Sequence, residues 1–170
     1  MKEGSVVEFE EVISVKHVLV DTKGSIMIDS GYVNIENIKG PKLFIQLDMQ
    51  SLTTQNSMRD GHLKDKPEFF NVAKFKKASF EASDIIKNEE GEFSYTAKGK
   101  LTLKGVTKDA LLQFNYAGTS DQDWGDGNKF KVAGFEGEFT INRKDFGIDG
   151  GGAAEEVEVE FTVEATQPLK

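Results

Sequence analysis

Hydrophobic and polar residues alternate along much of this chain with a period of two, which is typical of β-strands with one buried and one solvent-facing side. Six runs show this alternation, at 43–49, 78–82, 93–103, 112–116, 133–141 and 157–163. Turn-forming residues separate the runs, at 39–41, 88–91, 121–128 and 147–152. About eight one-sided antiparallel strands predict an all-β fold, either a sandwich or a closed barrel. No internal repeat or linker interrupts the pattern, so 1–170 is expected to form one domain.

The connections between the runs contain little helical periodicity. Short helical pieces are predicted at 59–65 and 68–75, and Pro67 separates them because proline does not continue a helix. The glycine-rich segment 147–152 has no Gly-Lys-Ser/Thr continuation and is therefore not a phosphate-binding loop. It is interpreted either as a flexible connection or as a lid.

Small residues occupy several inward positions of the predicted strands. They are Ala78, Ala82, Ala97, Gly99, Gly105, Ala133 and Gly137. In one interpretation they leave a lumen lined by Phe and Leu, in which an eight-stranded barrel holds one ligand. In the other, the glycines mark bulges or barrel corners.

The composition narrows the range of partners. The chain has 21 basic and 29 acidic residues, and the net charge of −8 argues against nucleic acid as a partner. Because cysteine is absent, disulfides, thiol catalysis and cysteine-based metal sites are excluded. No stretch approaches the ~20 apolar residues of an integral membrane segment. The start has no apolar leader, so the chain as written is expected to be cytoplasmic, or periplasmic or secreted if a leader was removed.

Metal-binding and catalytic motifs are incomplete. The two histidines, His17 and His62, lack a zinc-binding spacing such as H-x-x-x-H. The acidic loop 121–128 is superficially similar to a calcium loop, but Val132 stands where the last acidic ligand belongs. No G-x-S-x-G nucleophile motif occurs. The sequence therefore predicts no metal site and no catalytic residue.

Several ordered motifs resemble those of the YceI-like family. They are SLTTQNSMRDGHL at 51–63, EFFNV at 68–72, GKLTLKGVTK at 99–108 and INRKDFGI at 141–148, with His17 at the position of the family's first-strand histidine. The resemblance implies an extended antiparallel eight-stranded lipocalin-like barrel with one or two short helices. A lipocalin proper is disfavoured, because Trp124, which lies in a predicted loop, is the single tryptophan and no early G-x-W occurs.

The resemblance also implies a function. A YceI-like protein is expected to bind a long-chain polyisoprenoid or related amphipathic lipid, which includes isoprenoid quinones, and to carry or store it. It is expected to catalyse no reaction and to need no cofactor besides this lipid ligand. A homodimer is in keeping with the family. Two alternatives stay open: an enzyme or stress-response factor that acts on an isoprenoid or quinone through His62 or Arg59, and a filled barrel that binds a partner through its acidic surface.

Site residues are predicted on this basis. The lipid tail is expected to contact Leu47, Met49, Leu52, Met58, Leu63, Phe69, Phe70, Phe75, Phe80, Leu101, Leu103, Phe114, Phe135, Phe139, Phe146 and Phe161. Of these, the four phenylalanines between 69 and 80 form either a core cluster under a helix or part of the lipid channel. The head group or barrel mouth is assigned to Arg59, Asp60, His62 and His17, since guanidinium matches phosphate oxygens. In the alternative interpretation Arg59 and Asp60 close a loop by ion pairing and backbone hydrogen bonds. Arg143 and Asp145 are expected to fix a tight turn.

Overall fold

The structure is a computed structural model that describes residues 7–8, 12–17, 23–33, 43–123, 125, 127–152 and 154–168. Its elements, in chain order, are β1 (Val7–Glu8), β2 (Val12–His17), β3 (Lys23–Val33), β4 (Leu43–Thr53), α1 (Ser57–Asp65), β5 (Lys77–Lys87), β6 (Tyr95–Leu103), β7 (Val106–Asp123), β8 (Lys129–Asn142), the 3₁₀ turn Arg143–Phe146 and β9 (Glu156–Pro168). Trp124 lies outside the described residues.

The strands close into an antiparallel barrel. Consecutive strands from β3 to β9 pair with one another, and the short β1 and β2 both lie between β3 and β9. The nine described strands therefore occupy eight positions around the ring. This arrangement confirms the predicted all-β, eight-stranded antiparallel barrel.

The period-two apolar positions face the barrel interior. On β4, Leu43, Ile45 and Met49 are buried, while Gln50 on the other side of the strand is exposed. The same alternation buries alanine, leucine and phenylalanine side chains of β5 to β9, and these side chains pack in one hydrophobic cluster. Burial of this apolar surface provides the main free energy that favours the closed barrel.

Two inward glycines mark places where neighbouring strands approach closely. A Cβ atom on Gly99 would lie 2.2 Å from the carbonyl oxygen of Glu81, and one on Gly137 would lie 2.3 Å from that of Gln113. Gly105 lies in the β6–β7 turn at a φ of +75°. Close strand approach and a positive φ account for these three glycines, as the interpretation of bulges or barrel corners expects.

The predicted helical pieces are partly confirmed. Residues 59–65 belong to α1, which begins two residues earlier because Asn56 caps it by accepting a hydrogen bond from the Arg59 backbone N–H. The prediction of a helix at 68–75 is wrong. That segment consists of turns, since Pro67 interrupts the helix and Asn71 adopts a φ of +46°.

Three connections of the described chain meet at one end of the barrel. They are 54–76 between β4 and β5, 104–105 between β6 and β7, and 143–155 between β8 and β9, and we call them the end cap. The Lys104 ammonium donates hydrogen bonds to the carbonyl oxygens of Pro67 and Gly147 and so connects all three. In the glycine-rich segment, Ile148 is only 1% exposed and the Gly150 N–H donates to Glu68 O at 2.9 Å. The segment is therefore anchored in the cap rather than a loose connection.

Candidate functional site

The barrel interior is lined by apolar side chains, including an aromatic row on adjacent strands. Phe114 lies between Tyr95 and Phe135, at ring-centroid distances of 5.4 and 6.1 Å, and Tyr116 stacks on Phe135 at 5.1 Å. Such offset and tilted contacts add to the stabilisation from burial. The row gives β6, β7 and β8 a continuous aromatic wall.

Most of the predicted tail-contacting residues lie in or against this interior. Those that are buried are Met49, Leu52, Phe80, Leu101, Leu103, Phe114, Phe135, Phe146 and Phe161. Half-buried ones are Leu47, Leu63, Phe69, Phe70, Phe75 and Phe139. Met58 requires a correction, because its side chain is 73% exposed on α1 and does not line the interior. The reason is that α1 lies outside the ring of strands and turns this position to solvent.

Three of the clustered phenylalanines, Phe69, Phe70 and Phe75, belong to the end cap, and two of them pack on its glycines. The Phe69 ring packs on Gly150, where a Cβ atom would lie 2.3 Å from the ring, and the Phe75 ring packs on Gly105 at 2.7 Å by the same measure. Phe80, in contrast, is a wall residue of β5. Phe69 and Phe75 therefore follow the core-cluster interpretation.

Thr54 links Arg59 to Asp60 at the start of α1. Asp60 Oδ1 accepts from the Thr54 backbone N–H at 2.7 Å and from its hydroxyl at 2.5 Å, and Oδ2 accepts from the Thr53 hydroxyl at 3.0 Å. The hydrogen bond from the Thr54 side chain, with further help from the Thr54 backbone, Thr53 and Lys64, lowers the pKa of Asp60 against the opposing effect of burial. The carboxylate thus holds the end of β4 against the helix.

Arg59 completes the same network from an exposed position. Its Nε donates to the Thr54 hydroxyl at 2.8 Å and its Nη2 donates to the Thr54 carbonyl oxygen at 3.2 Å. The predicted loop-closing role is therefore observed, although Arg59 and Asp60 meet through Thr54. Within the described part of the chain, Nη1 of Arg59 has no hydrogen-bond acceptor.

The two histidines differ in what the structure describes. His62 is exposed near the end of α1. The backbone of His17 pairs with Val157 of β9, and its side chain lies outside the described part. A head-group role for these residues stays a prediction.

A buried arginine fixes the 143–155 connection. The side chain of Arg143 donates to the carbonyl oxygen of Ala154 at 2.6 Å and to that of Ile148, and its backbone N–H donates to Glu155 O at 2.8 Å. These contacts confirm the expected structural role of Arg143. The exposed neighbour Asp145 lies within the same 3₁₀ turn.

Sequence reasoning missed two features. Lys104 was noted within a motif, but its contacts to Pro67 and Gly147 join residues 37 and 43 positions away, which no local pattern reveals. On the outer face of β8 and β9, the carboxylates of Glu138, Glu158 and Glu160 lie within 4.8 Å of one another. The glutamates that alternate along β9 could have indicated an acidic outer face.

Neither helical element of the described chain has the length and apolarity that a bilayer-spanning helix requires.

The comparison with known proteins decides the family. A sequence model described as the YceI-like domain matches residues 2–165. The chain belongs to the YceI-like family. A UPF0312 protein of Yersinia enterocolitica is 38% identical over 149 residues, which cover 86% of this chain and 71% of that protein.

Solved structures show the same fold. The YCEI protein of Campylobacter jejuni has a TM-score of 0.68 and 23% identity, with 89% of each chain covered. A domain of Saccharophagus degradans, described as polyisoprenoid binding and implicated in plant cell wall breakdown, has a TM-score of 0.59 and 14% identity, and the alignment covers 98% of this chain and 100% of that one. At these identities the likeness concerns the barrel architecture.

Proposed function

We propose that this YceI-like protein binds a long-chain polyisoprenoid or related amphipathic lipid inside its barrel and carries or stores it unchanged. The observation that carries the proposal is the apolar interior. Among the described residues, the buried polar ones are Thr54 and Arg143, and both belong to the end cap. Apolar side chains such as Leu101 and Phe114 form the wall. Each methylene of a tail buried there contributes about 0.8 kcal/mol to binding.

The same interior supports binding rather than catalysis. General acid–base or nucleophilic chemistry needs a polar group beside the reacting atoms. Thr54 already exchanges hydrogen bonds with Asp60 and Arg59, and Arg143 is bound to backbone carbonyls. The polyisoprenoid-binding neighbour of the same fold agrees with a ligand of this class.

The head group is assigned to the cap end, beside Arg59 and His62. Both side chains are exposed there. Arg59 is held in place by Thr54 through Nε and Nη2, which leaves Nη1 available to an anionic group. A positioned guanidinium binds phosphate oxygens more strongly than a neutral donor does.

Native mass spectrometry of freshly purified protein, followed by solvent extraction, tests the proposal. We expect a stoichiometric bound lipid, whose mass distinguishes a prenyl alcohol or phosphate from an isoprenoid quinone. The same spectrum reports whether the chain is a homodimer. An apo protein that also fails to take up added prenyl lipids would contradict the proposal and favour a filled barrel.

A matched pair of variants tests where the lipid lies. Phe139 of β8 faces the barrel interior, whereas the next residue, Thr140, is exposed on the outside of the barrel. Phe139→Ser is expected to weaken prenyl-lipid binding by about tenfold, since it removes apolar contact area. Thr140→Ser should leave the affinity unchanged. Equal affinities for both variants, each shown to be folded by circular dichroism, would contradict binding of the lipid inside the barrel.

A further inference from the structure

The end cap carries a positive charge that contrasts with the rest of the chain. Its β4–β5 connection, 54–76, contains five basic residues and three acidic ones, although the net charge of the chain is −8. One of the three acidic groups, Asp60, directs its carboxylate to Thr53 and Thr54. The β4–β5 connection is therefore a basic region on an acidic protein.

Four of the five basic side chains of this region lie on the surface, and Lys64 is half-buried. Arg59, Lys66, Lys74 and Lys76 are exposed. Lys74 lies over the Phe75 ring, with Nζ 5.2 Å from the ring centroid. At physiological ionic strength charges are screened beyond about 8 Å. A charged surface that approaches the cap therefore interacts mainly with these nearby cations and less with the net charge of the whole protein.

An exposed apolar side chain accompanies the cations. Met58, His62 and Lys66 follow one another at intervals of four residues, so they form one stripe along α1 and its C-cap. All three are exposed, and Met58 is 73% exposed, whereas Met49 of β4 is 2% exposed. An apolar tip beside cations is the combination that favours the interface of an anionic bilayer.

The opposite charge lies on the side of the barrel. Glu138, Glu158 and Glu160 place their carboxylates within 4.8 Å of one another on the outer face of β8 and β9. An anionic surface repels this face and attracts the exposed cations of the β4–β5 connection. The charge distribution therefore favours one orientation, with the end cap toward the surface.

We propose that the end cap, through α1 and the basic segment that follows it, docks on an anionic lipid bilayer. The inference rests on the proposed function, because a carrier of a membrane lipid must meet the membrane to load or release its ligand. An acidic protein surface would pair with the cations, whereas a bilayer interface also offers the exposed Met58 an apolar layer. The bilayer accommodates both.

Vesicle co-sedimentation tests the inference. The probes are vesicles of pure phosphatidylcholine and vesicles that also contain phosphatidylglycerol. Wild-type protein is expected to bind the anionic vesicles only, and less strongly as salt is added. The double variant Lys66→Glu, Lys76→Glu should lose about tenfold or more in partitioning to the anionic vesicles.

The matched control reverses two exposed lysines elsewhere, Lys87→Glu and Lys98→Glu, with the same change in net charge. It should partition like the wild type within about twofold. Equal losses in the two double variants, or no binding of wild-type protein to anionic vesicles, would overturn the inference. Binding to soluble polyglutamate without binding to vesicles would replace the bilayer by an acidic protein and also overturn it.

Lipid uptake from solution separates this inference from the proposed function. Both double variants should take up a prenyl lipid that is added in solvent as well as the wild type does. If uptake is normal and vesicle binding is absent, docking alone is refuted. If vesicle binding is normal and no form takes up the lipid, the carrier function fails and the docking surface stands.

Discussion

Lys104 and Gly147 are joined by a hydrogen bond of 2.6 Å from the lysine ammonium to the glycine carbonyl oxygen. The same ammonium donates to the carbonyl oxygen of Pro67. Lys104 adopts a φ of +50°, a conformation that costs a residue other than glycine about 1 kcal/mol or more. The contacts of its side chain offset this cost and hold three connections together.

Removal of the Lys104 ammonium is expected to loosen the end cap. Lys104→Met loses both hydrogen bonds and keeps the unfavourable backbone, so the free energy of unfolding should fall by about 1–3 kcal/mol. Urea denaturation measures the change. Lys100→Met is the control, because the ion pair of Lys100 with Asp109 is exposed and screened by water, so its loss should have little effect. A smaller effect at 104 than at 100 would contradict the assigned role.

Asp60 makes stability depend on pH. Its hydrogen bonds to Thr54 and Thr53 lower its pKa in the folded state below the ordinary value of 3.8. A lowered folded pKa means that the stabilisation is present above pH 3.8 and is lost as the pH falls through the folded value. Asp60→Asn should therefore reduce the free energy of unfolding by about 1–2 kcal/mol at pH 7.

The difference between Asp60→Asn and wild type should shrink in acid, once the wild-type carboxyl is protonated. Urea unfolding of both proteins across the acidic range measures it. Asp65→Asn is the comparison, since Asp65 is exposed at the end of α1. If the difference in the free energy of unfolding between wild type and Asp60→Asn does not change with pH, the effect comes from side-chain packing rather than from ionisation of Asp60.

Adjacent leucines of β7 distinguish the two faces of the barrel wall. Leu112 is 2% exposed and Leu111 is 60% exposed. Leu112→Ala should lower the free energy of unfolding by about 2–5 kcal/mol, since it removes packed methyl groups from the core. Leu111→Ala should change it by less than about 0.5 kcal/mol. Thermal and urea unfolding measure both changes. A larger loss of stability for Leu111→Ala than for Leu112→Ala would show that the opposite face of β7 points into the barrel.

The close approach of strands at Gly99 predicts intolerance of a single methyl group. A Cβ atom there would meet the Glu81 carbonyl oxygen and lie 2.8 Å from the Ala82 Cα, both of which are backbone atoms. Gly99→Ala is therefore expected to destabilise the barrel by about 1–3 kcal/mol or more. Gly151→Ala is the control, because no atom lies within 4 Å of the added carbon. Similar unfolding midpoints for the two variants would contradict the described register.

The fold was largely predictable from β4 onward because each strand has one solvent-facing and one buried side, and the sequence alternates accordingly. β3 was not predicted, for a physical reason. Ile26 and Ile28 are buried, but pairing with β4 shifts register between Ser25 and Met27 and again between Ile28 and Ser30. Each irregularity changes which face the following residues occupy, so the period of two is lost.

The candidate site was predictable only where it is local. Arg59 and Asp60 lie within six positions of Thr54, so a motif could indicate that they fix a loop. The contact from Lys104 to Gly147 spans 43 positions and depends on which connections the barrel brings to one end. The exposure of Met58 likewise depends on how α1 sits against the strands, which its sequence does not specify.

Arg59 allows the loop-fixing role and the head-group role to be separated. Arg59→Lys retains the positive charge but loses the paired donation of Nε and Nη2 to Thr54. Arg59→Gln removes the charge as well. If the guanidinium contacts an anionic head group, both variants should bind a prenyl pyrophosphate less tightly, and the glutamine variant should lose about tenfold or more. Their affinity for the corresponding prenyl alcohol should stay at the wild-type level, because the alcohol presents no anion.

Titration of the two lipids into wild type and both variants, followed by intrinsic fluorescence or native mass spectrometry, gives the four affinity ratios. Lys98→Gln serves as the control, because it removes one exposed positive charge on β6, away from the cap, and should leave both affinities unchanged. Equal losses for pyrophosphate and alcohol would assign Arg59 to the loop alone, since a disturbed β4–α1 connection affects any ligand. A loss confined to the pyrophosphate would place the head group at the cap end, next to the surface that we propose meets the bilayer.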